Sequence, residues 1–399
     1  MPIDASSPVV IAGAGPVGLC LALALARAGI PVAVFEAEAA LQTGLRGAAY
    51  HPPTLEWFHA WGILDEARRR GIEVRQLRYW ERATRECVAS FDYALIANDA
   101  PFPFRLHCMQ GELCRIAYAA LAGMPHASVH FSHRLVDITD HGTHIDATFE
   151  IPGGLRSIQG TFLCGADGAH STTRKRLGVA FEGVSYVDRF LVINGDFAPE
   201  SVLPGMAPVN YVFDPDEWVI VLQLPGFVRV VFRVDEKEVD ADVISDAAVT
   251  ARLERFLGAE VPNVRRECSI YKVHERLASA FRVGRVLLLG DAAHVNNPTG
   301  GMGLNGGILD AATLASALTR IHHGALAEVE LDTYAQVRRA TAERDVLPRA
   351  GENYRQMAAR TASERAARNQ AIRRAALDST LARAHLLRFS MIEPKGSFS

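Results

Sequence analysis

Apolar positions near the start of the chain form two short runs with a longer one between them. The segment "PVVIAG" is a short β-branched run typical of a buried strand, and "IPVAVFEAE" is a second strand-like run that ends in acidic residues. Between them, "PVGLCLALALARAG" has helical character and ends at Gly29, a residue typical of helix C-termini. The pattern therefore predicts a strand–helix–strand unit at the N-terminus.

The pattern changes several times along the rest of the chain. Helical and irregular stretches alternate between Gly47 and Met124, and "HPPTLEWFHAWGILDEARRRG" predicts one proline-initiated amphipathic helix closed by Gly71. Short strands with glycine turns are predicted from Val129 to Ala166, and an inserted antiparallel sheet from about Tyr186 to Tyr271. The segment "GRVLLLGD" returns to an α/β pattern, and almost everything beyond Gly307 is predicted to be helical.

Composition narrows the possible function classes. The chain has 399 residues, 49% of them hydrophobic, so it can bury a large core, and its net charge of -3 gives no overall field for nucleic acid. Six cysteines occur without a CxxC pair, which fits a reducing compartment and predicts neither a disulfide framework nor a metal site. Glycines and Arg27 interrupt the apolar segment Val9–Phe35, so we expect no membrane-spanning segment and a cytoplasmic location.

A glycine-rich motif stands between the first predicted strand and helix. The segment "GAGPVG" supplies Gly13, Gly15 and Gly18, which permit a tight turn, the approach of a pyrophosphate and close helix–strand packing. Glu36 ends the second strand, where a carboxylate can accept hydrogen bonds from an adenosine ribose. A lone GxGxxG can be purely structural, but the whole unit predicts a dinucleotide site, and an acidic residue there favours FAD or NAD over NADP.

Two further motifs follow later in the chain. In "CGADGAHSTTRKRLG", Asp167 lies in a turn before a helix, and this segment is either part of a binding site or an ordinary turn with a helix cap. In "LLLGDAAHVNNPTGGMGLNGG", Asp291 follows a strand and can bind a ribose or ribityl hydroxyl. The glycines that follow weaken regular structure, so we infer that backbone N–H groups there approach a ligand. His294 fits either a structural or a catalytic role.

These three motifs, in this order and at these separations, resemble those of the FAD-dependent aromatic hydroxylases, which are single-component flavoprotein monooxygenases of the p-hydroxybenzoate hydroxylase type. The resemblance covers nearly the whole chain, and "GDAAHxxxPxxGxGxNxG" is its most specific part. It implies an α/β fold with a Rossmann-like FAD-binding domain, an inserted antiparallel β-sheet substrate domain and C-terminal helices. We expect an FAD-binding domain over residues 1–185, with substrate-domain segments interleaved at about 72–108, then a substrate sheet over 186–272, a return to the FAD-binding domain over 273–320, and a helical region over 321–399.

The resemblance also assigns residues to the cofactor. It implies FAD-binding roles for Gly13, Gly15, Gly18, Glu36, Arg46, Gln110, Asp167, Asp291, Gly303, Leu304 and Asn305. It places Pro298, Gly301 and Gly303 beside the reactive flavin ring as catalytic-site residues. Asp167 is expected to contribute to binding of the nicotinamide nucleotide as well.

The activity implied by the resemblance is that of an NAD(P)H-consuming monooxygenase. NADH or NADPH binds transiently and reduces FAD, and O2 then gives a flavin C4a-hydroperoxide that hydroxylates a phenolic or hydroxypyridine-like small molecule. Because water would destroy that species, we expect an apolar site. A homodimer is left open.

Substrate selection is expected mainly on the inserted sheet. Tyr211, Gln223 and Arg229 are candidates there, although each can equally be a solvent-facing strand residue, and His51 is a further candidate near Arg46. Carboxylate-binding members of the family carry Arg or Ser on the first of these strands. The segment "VIVLQL" has neither, which argues against a small benzoate-like substrate.

Other interpretations stay open at this point. A halogenase or a polyprenyl reductase can use the same fold, but Trp218 stands alone where a halogenase needs Trp-x-Trp-x-Ile. A non-catalytic flavin-binding module gives no reason for the glycine run. The arginine-rich segment near the C-terminus fits a helix on a membrane surface or, more simply, a helix packed on the body.

Overall fold

The computed structural model describes residues 7–42, 44, 47–258, 267–359 and 361–392. In chain order its strands are β1 (Val9–Ala12), β2 (Val32–Phe35), β3 (Ala49–Tyr50), β4 (Ile72–Val74), β5 (Gln76–Glu81), β6 (Glu86–Asp92), β7 (Arg105–His107), β8 (Ala127–His130), β9 (Arg134–Asp140), β10 (Ile145–Ile151), β11 (Gly154–Gly160), β12 (Leu163–Gly165), β13 (Phe181–Gly195), β14 (Val209–Phe213), β15 (Val219–Leu224), β16 (Phe227–Val234), β17 (Glu267–Ala278), β18 (Arg282–Val283), β19 (Val286–Leu288) and β20 (His294–Val295). Its helices are α1 (Pro16–Arg27), α2 (Pro52–Ala60), α3 (Leu64–Arg69), α4 (Gln110–Leu121), α5 (Thr172–Arg176), α6 (Asp240–Val243), α7 (Asp246–Leu257), α8 (Met302–His322), α9 (Glu330–Thr341), α10 (Leu347–Met357), α11 (Ala362–Leu377) and α12 (Ser379–Phe389).

A six-stranded sheet in the order β18-β19-β12-β1-β2-β8 contains the N-terminal unit. β1 pairs in parallel with β2 and with β12, and β12 pairs in parallel with β19. The predicted strand–helix–strand unit is confirmed as β1, α1 and β2, with Gly29 just beyond the helix at φ +80°. Because parallel strands end at the same edge of a sheet, β1, β12 and β19 deliver the three sequence motifs to one place.

An eight-stranded sheet in the order β20-β17-β13-β16-β15-β14-β5-β6 forms the second layer. Most of its pairs are antiparallel, as predicted, but β14 and β5 are parallel. A parallel pair is possible there because β5 and β14 are far apart in the chain and are not joined by a hairpin. The insertion also contains α6 and α7, which pack on one face of the sheet through residues such as Val243 and Phe256.

The single helix predicted between His51 and Gly71 is two helices. The first helix, α2, begins at Pro52 as predicted but ends at Ala60, and α3 begins at Leu64. Gly62 lies between them with φ +69°, a left-handed conformation that ends a helix. The sequence prediction was wrong here because an amphipathic pattern does not reveal which glycine leaves the helix.

The arginine-rich C-terminal segment packs on the body of the protein. The Arg368 guanidinium lies 3.6 Å from the centre of the Phe213 ring and forms an ion pair of 3.1 Å with Glu81. Two further ion pairs hold these helices to the body, Arg373 with Glu86 of β6 and Arg383 with Asp99 in the segment between β6 and β7. Among the helices that the structure describes, none has the length and apolar character needed to cross a bilayer.

Candidate active site and cofactor cradle

In the glycine turn after β1, one of the three motif glycines has room for a side chain and the other two have none. Gly13 has φ +105°, and a Cβ added to it would lie 2.5 Å from the carbonyl oxygen of Ala166. A Cβ on Gly18 would collide with the carbonyl oxygen of Gly13, whereas a Cβ on Gly15 would meet no atom within 4 Å. Gly15 caps α1 without a side-chain hydrogen bond, so no capping side chain takes the N–H groups of the first helical turn. This is the geometry that a pyrophosphate requires.

Glu36 is held at the edge of this turn. Its Oε2 accepts a hydrogen bond of 2.7 Å from the backbone N–H of Ala14, and its Oε1 accepts one of 3.0 Å from the N–H of Glu38. The carboxylate is half-exposed, so each oxygen keeps capacity for a second donor. The residues present therefore fit a dinucleotide whose ribose hydroxyls approach Glu36.

Asp167 is already engaged by its own loop. One carboxylate oxygen accepts from the Ser171 hydroxyl at 2.5 Å, and the other accepts from the backbone N–H of Thr173 at 2.9 Å and from its hydroxyl at 3.0 Å. These contacts form a turn with a helix cap, which is one of the two interpretations of this segment that the sequence left open. Asp167 still lies against the glycine turn, since a Cβ on Gly13 would be 3.1 Å from its Cα.

Behind the third motif lies a buried charged network around Asp310. Its carboxylate accepts hydrogen bonds from the N–H of Gly290 at 3.0 Å, from His294 Nε2 at 2.8 Å and from Arg338 Nε at 2.6 Å. Burial alone would raise the pKa of Asp310, but Arg338 and His294 outweigh it and hold that pKa below its usual range. The contacts of His294 therefore favour its structural interpretation, and the network fixes the turn that presents the exposed Asp291.

The glycine run "TGGMGLNGG" is both a turn and the beginning of a helix. Gly300 and Gly301 have φ +93° and +71°, and the N–H of Gly301 donates to the carbonyl of the exposed Pro298 at 3.0 Å. Helix α8 begins at Met302, so Gly303 lies in its first turn. Gly300 and Gly301 thus form a glycine turn before the helix, whereas the later glycines of the run are helical. Gly301 caps α8 without a side-chain bond, which leaves first-turn N–H groups for a ligand.

Asn305 ties this turn to β3 and α2. Its Oδ1 accepts from the N–H of His51 at 2.8 Å and from the Thr54 hydroxyl at 2.7 Å. Its Nδ2 donates to the carbonyls of Ala49 at 2.9 Å and Gly301 at 2.6 Å. All the hydrogen-bonding capacity expected of a buried amide is thus used by the protein itself. Asn305 consequently positions the turn.

The N-terminus of α4 approaches the N-terminus of α8. The N–H of Gln110 donates to the carbonyl of Gly47 at 2.9 Å, and a Cβ on Gly47 would lie 3.0 Å from the Leu304 side chain. Gln110, Gly47 and Leu304 therefore meet beside the first turn of α8. Arg46, which was also expected to bind the cofactor, lies outside the described residues.

The substrate candidates on the sheet divide between its two faces. Tyr211 pairs with Ile220 and Arg229 pairs with Leu222, which puts both candidates on one face. Gln223 is exposed and points to the opposite face, because side chains alternate along a strand. The three candidates therefore do not share one face of the sheet, and the Gln223 backbone carbonyl accepts a hydrogen bond of 2.8 Å from His107 Nδ1.

A buried cluster beside Tyr211 was missed by the sequence analysis. It contains one cation, Arg105 on β7, whose Cζ lies 4.8 Å from the centre of the Phe389 ring of α12. Tyr211 meets the same ring edge-on at 5.8 Å, and His51 does so at 6.4 Å. The only signal in the sequence is a charged residue inside the apolar strand "FRLHC", and the many arginines of this chain conceal it.

Comparisons with known proteins agree with this geometry. A family model described as "FAD binding domain" matches residues 6–347. The chain is 34% identical over 390 residues to para-nitrophenol 4-monooxygenase of Pseudomonas sp. (strain WBC-3), and the alignment covers 95% of this chain and 94% of that protein. The chain belongs to the FAD-dependent aromatic hydroxylase family. Like that relative, 6-hydroxy-3-succinoylpyridine 3-monooxygenase of Pseudomonas putida (strain DSM 28022 / S16) is similar over most of its length, with 32% identity over 356 residues and 88% of each chain covered.

The solved structures give the same assignment. The crystal structure of p-nitrophenol 4-monooxygenase from Pseudomonas putida DLL-E4 has a TM-score of 0.91 with this FAD-dependent aromatic hydroxylase, at 32% identity, over 96% of this chain and 98% of that chain. The protein is thus a flavoprotein monooxygenase that uses FAD, NAD(P)H and O2, and the predictions of family, fold class, enzyme class and cofactors are confirmed. These relatives favour hydroxylation over halogenation, polyprenyl reduction or a non-catalytic module.

Replacing Glu36 with lysine is expected to weaken FAD binding in this hydroxylase. Losing a charge-assisted hydrogen bond to a ribose hydroxyl costs about 1.5–3 kcal/mol, which is about tenfold or more in Kd. Fluorescence titration of the apoprotein with FAD measures the change. Glu38→Lys is the matched control, because Glu38 lies two residues away and its carboxylate does not receive the Ala14 N–H. An unchanged Kd in a folded Glu36→Lys variant would remove Glu36 from the cofactor site.

Proposed function

We propose that this monooxygenase hydroxylates a single-ring phenol or hydroxypyridine, bound between the Gly300–Gly301 turn and the eight-stranded sheet. The observation that carries the proposal is His51, whose side chain is 0% exposed. Its Nε2 lies 2.8 Å from the Gly300 carbonyl, and since a carbonyl only accepts, Nε2 carries the proton and Nδ1 is an acceptor. Nδ1 is buried and has no partner among the described residues. An aromatic hydroxyl that donates to Nδ1 removes the cost of leaving this acceptor unsatisfied.

His51 acts as a neutral acceptor. Burial lowers the pKa of His51 well below its usual range, and the charge of Arg105 lowers it further. A neutral imidazole that takes a hydrogen bond from the substrate hydroxyl increases the electron density of the ring, which favours attack by an electrophilic oxygen. Asn305 supports this geometry because it holds the His51 backbone through its N–H.

The surroundings of His51 suit a small aromatic ring. The buried rings of Tyr211 and Phe389 form an apolar wall next to it, and such a wall keeps water from the reacting atoms. The two similar enzymes named above act on para-nitrophenol and on 6-hydroxy-3-succinoylpyridine, each of which is a single hydroxylated ring. The near end-to-end alignment with the first of them supports a substrate of that size.

The cofactor roles of individual residues are part of this proposal. Gly13, Gly15, Gly18 and Glu36 hold the ADP half of FAD, Gln110 and Asp291 hold its ribityl side, and the N–H groups of Gly303 and Leu304 face its ring beside Pro298 and Gly301. FAD, when bound, takes a hydride from NAD(P)H and activates O2 for transfer of one oxygen atom to the ring. Asp167 contributes to FAD and nicotinamide binding through the loop that it shapes. The domain boundaries, a homodimer and a cytoplasmic location stay predictions.

A panel of ring compounds tests the proposed function. Phenols and hydroxypyridines are added to the FAD-loaded enzyme, and flavin reduction, NADH or NADPH oxidation, hydroxylated product and hydrogen peroxide are measured. We expect slow flavin reduction without a ring compound, and fast reduction with product formation when a suitable single ring is present. Equally fast reduction with and without any ring, or product only from multi-ring compounds, would contradict the proposal.

A further inference from the structure

Arg105 is a buried cation with no acidic partner among the residues that the structure describes. Its side chain is 2% exposed, and its Nε and Nη2 have no hydrogen-bond partner in the described part of the chain. It forms no ion pair with any carboxylate that the structure describes, in contrast to the buried Arg338 and Arg368. Burying an uncompensated charge is costly, so its retention calls for a ligand that offsets the cost.

The groups around Arg105 keep it charged without supplying a negative partner. Burial alone would lower the pKa of Arg105, but the nearby hydroxyls of Tyr93 and Tyr211 outweigh it, and the pKa lies above its usual value. Both hydroxyls lie beside the guanidinium, but they do not replace a carboxylate partner. The Nε and Nη2 edge of Arg105 therefore has no partner in the described chain, and it is the edge from which the two oxygens of a planar group accept a pair of hydrogen bonds.

Arg105 and His51 border the same aromatic ring. The Cζ of Arg105 lies 4.8 Å from the Phe389 ring centre, and the His51 ring centre lies 6.4 Å from it. A substrate ring beside Phe389 can thus reach His51 with its hydroxyl and Arg105 with a second substituent. The substrate-binding arginine that "VIVLQL" in β15 does not provide is available from β7.

We propose that Arg105 selects ring substrates that carry an electron-withdrawing, oxygen-bearing substituent, a nitro or carboxylate group, whose oxygens accept hydrogen bonds from Nε and Nη2. The inference rests on the proposed function, because it needs the ring to bind next to His51. It adds a specificity determinant on β7, which is none of the three strands that carry Tyr211, Gln223 and Arg229.

The test uses the FAD-loaded enzyme, the variant Arg105→Met and three ligands of similar size. The ligands are 4-nitrophenol, 4-hydroxybenzoate and 4-methylphenol, of which the last has no acceptor oxygens opposite its hydroxyl. Kd values come from the perturbation of flavin absorbance. We expect Arg105→Met to raise the Kd for 4-nitrophenol or 4-hydroxybenzoate by about 30-fold, because hydrogen bonds to a charged donor are lost. The Kd for 4-methylphenol should change by less than about threefold. Arg105→Lys should recover part of the loss.

Thermal unfolding separates this role from a structural one. Methionine replaces an unpaired charge with an apolar side chain of similar length, so the Tm of Arg105→Met should be equal to or above that of the wild type. Arg368→Met is the matched control, because that arginine also lies over an aromatic ring but is paired with Glu81. It should lower the Tm, since Glu81 loses its partner, and leave all three Kd values unchanged.

Several results would overturn the inference. An equal loss of affinity for all three ligands in Arg105→Met would mean that Arg105 binds the hydroxyl end or shapes the pocket. A lower Tm of this variant would mean that Arg105 supports the fold. A wild type that does not prefer 4-nitrophenol or 4-hydroxybenzoate over 4-methylphenol would also contradict it. If the wild type hydroxylates single rings while Arg105→Met keeps the same ligand preference, only this inference fails. If no single ring is hydroxylated, the proposed function fails with it.

Discussion

Gly15→Val is expected to abolish FAD retention while the polypeptide folds normally. A Cβ at position 15 meets no atom within 4 Å, and the backbone there has φ -69° and ψ 175°, which any residue adopts. The same open space lies in front of the N–H groups at the start of α1. If the FAD pyrophosphate occupies it, the valine methyls displace the phosphates and several charge-assisted hydrogen bonds are lost. We expect the Kd for FAD to rise by about 100-fold or more.

The control for this change is Gly123→Val, which makes the same substitution at another glycine with no atom within 4 Å of an added Cβ. Both variants are purified as apoproteins, and FAD binding and thermal unfolding are measured side by side. The two should unfold at similar temperatures, and only Gly123→Val should bind FAD like the wild type. If Gly15→Val binds FAD as tightly as Gly123→Val, the space above α1 does not hold the pyrophosphate.

Local patterns in the sequence were sufficient for the N-terminal unit. The apolar runs of β1 and β2 are fully buried, and Gly29 after α1 takes the left-handed conformation expected of a helix end. These features depend on neighbours a few residues away, so the sequence contains the information directly. The apolar pattern marks neither the break at Gly62 nor the start of α8 at Met302, so there the local pattern was insufficient.

Strand register explains most of what the sequence could not provide at the site. Alternation shows that Gln223 and Leu222 face opposite ways, but the face that lines the site follows only from the pairing of β14, β15 and β16. The same limit applies to Arg105, because its unpaired state is visible only once β7, α12 and the Tyr211 strand are assembled. The glycine motifs, by contrast, were located by spacing alone.

Asp310→Asn is expected to lower the free energy of unfolding by about 3–5 kcal/mol, because it leaves Arg338 as an unpaired buried charge. Asp310 is 0% exposed and is the ion-pair partner of Arg338 at 2.6 Å. Asparagine has nearly the same shape, so the effect reports the charge and not a cavity. The neutral double variant with Arg338→Met should recover part of the loss, since neither partner is then an unpaired charge.

Urea unfolding of the FAD-loaded enzyme measures this difference, and its pH dependence identifies the cause. The folded-state pKa of Asp310 is lowered, so the stability that its charge contributes is fully present above the unfolded-state pKa and is lost as the pH falls through the folded-state value. The gap between wild type and Asp310→Asn should therefore be largest at neutral pH and should narrow in acid. A gap of less than about 1 kcal/mol at neutral pH, or one that widens in acid, would show that Asp310 is not the charged centre of this network. In that case the turn at Gly290 must be held mainly by the apolar packing of α1 against α8.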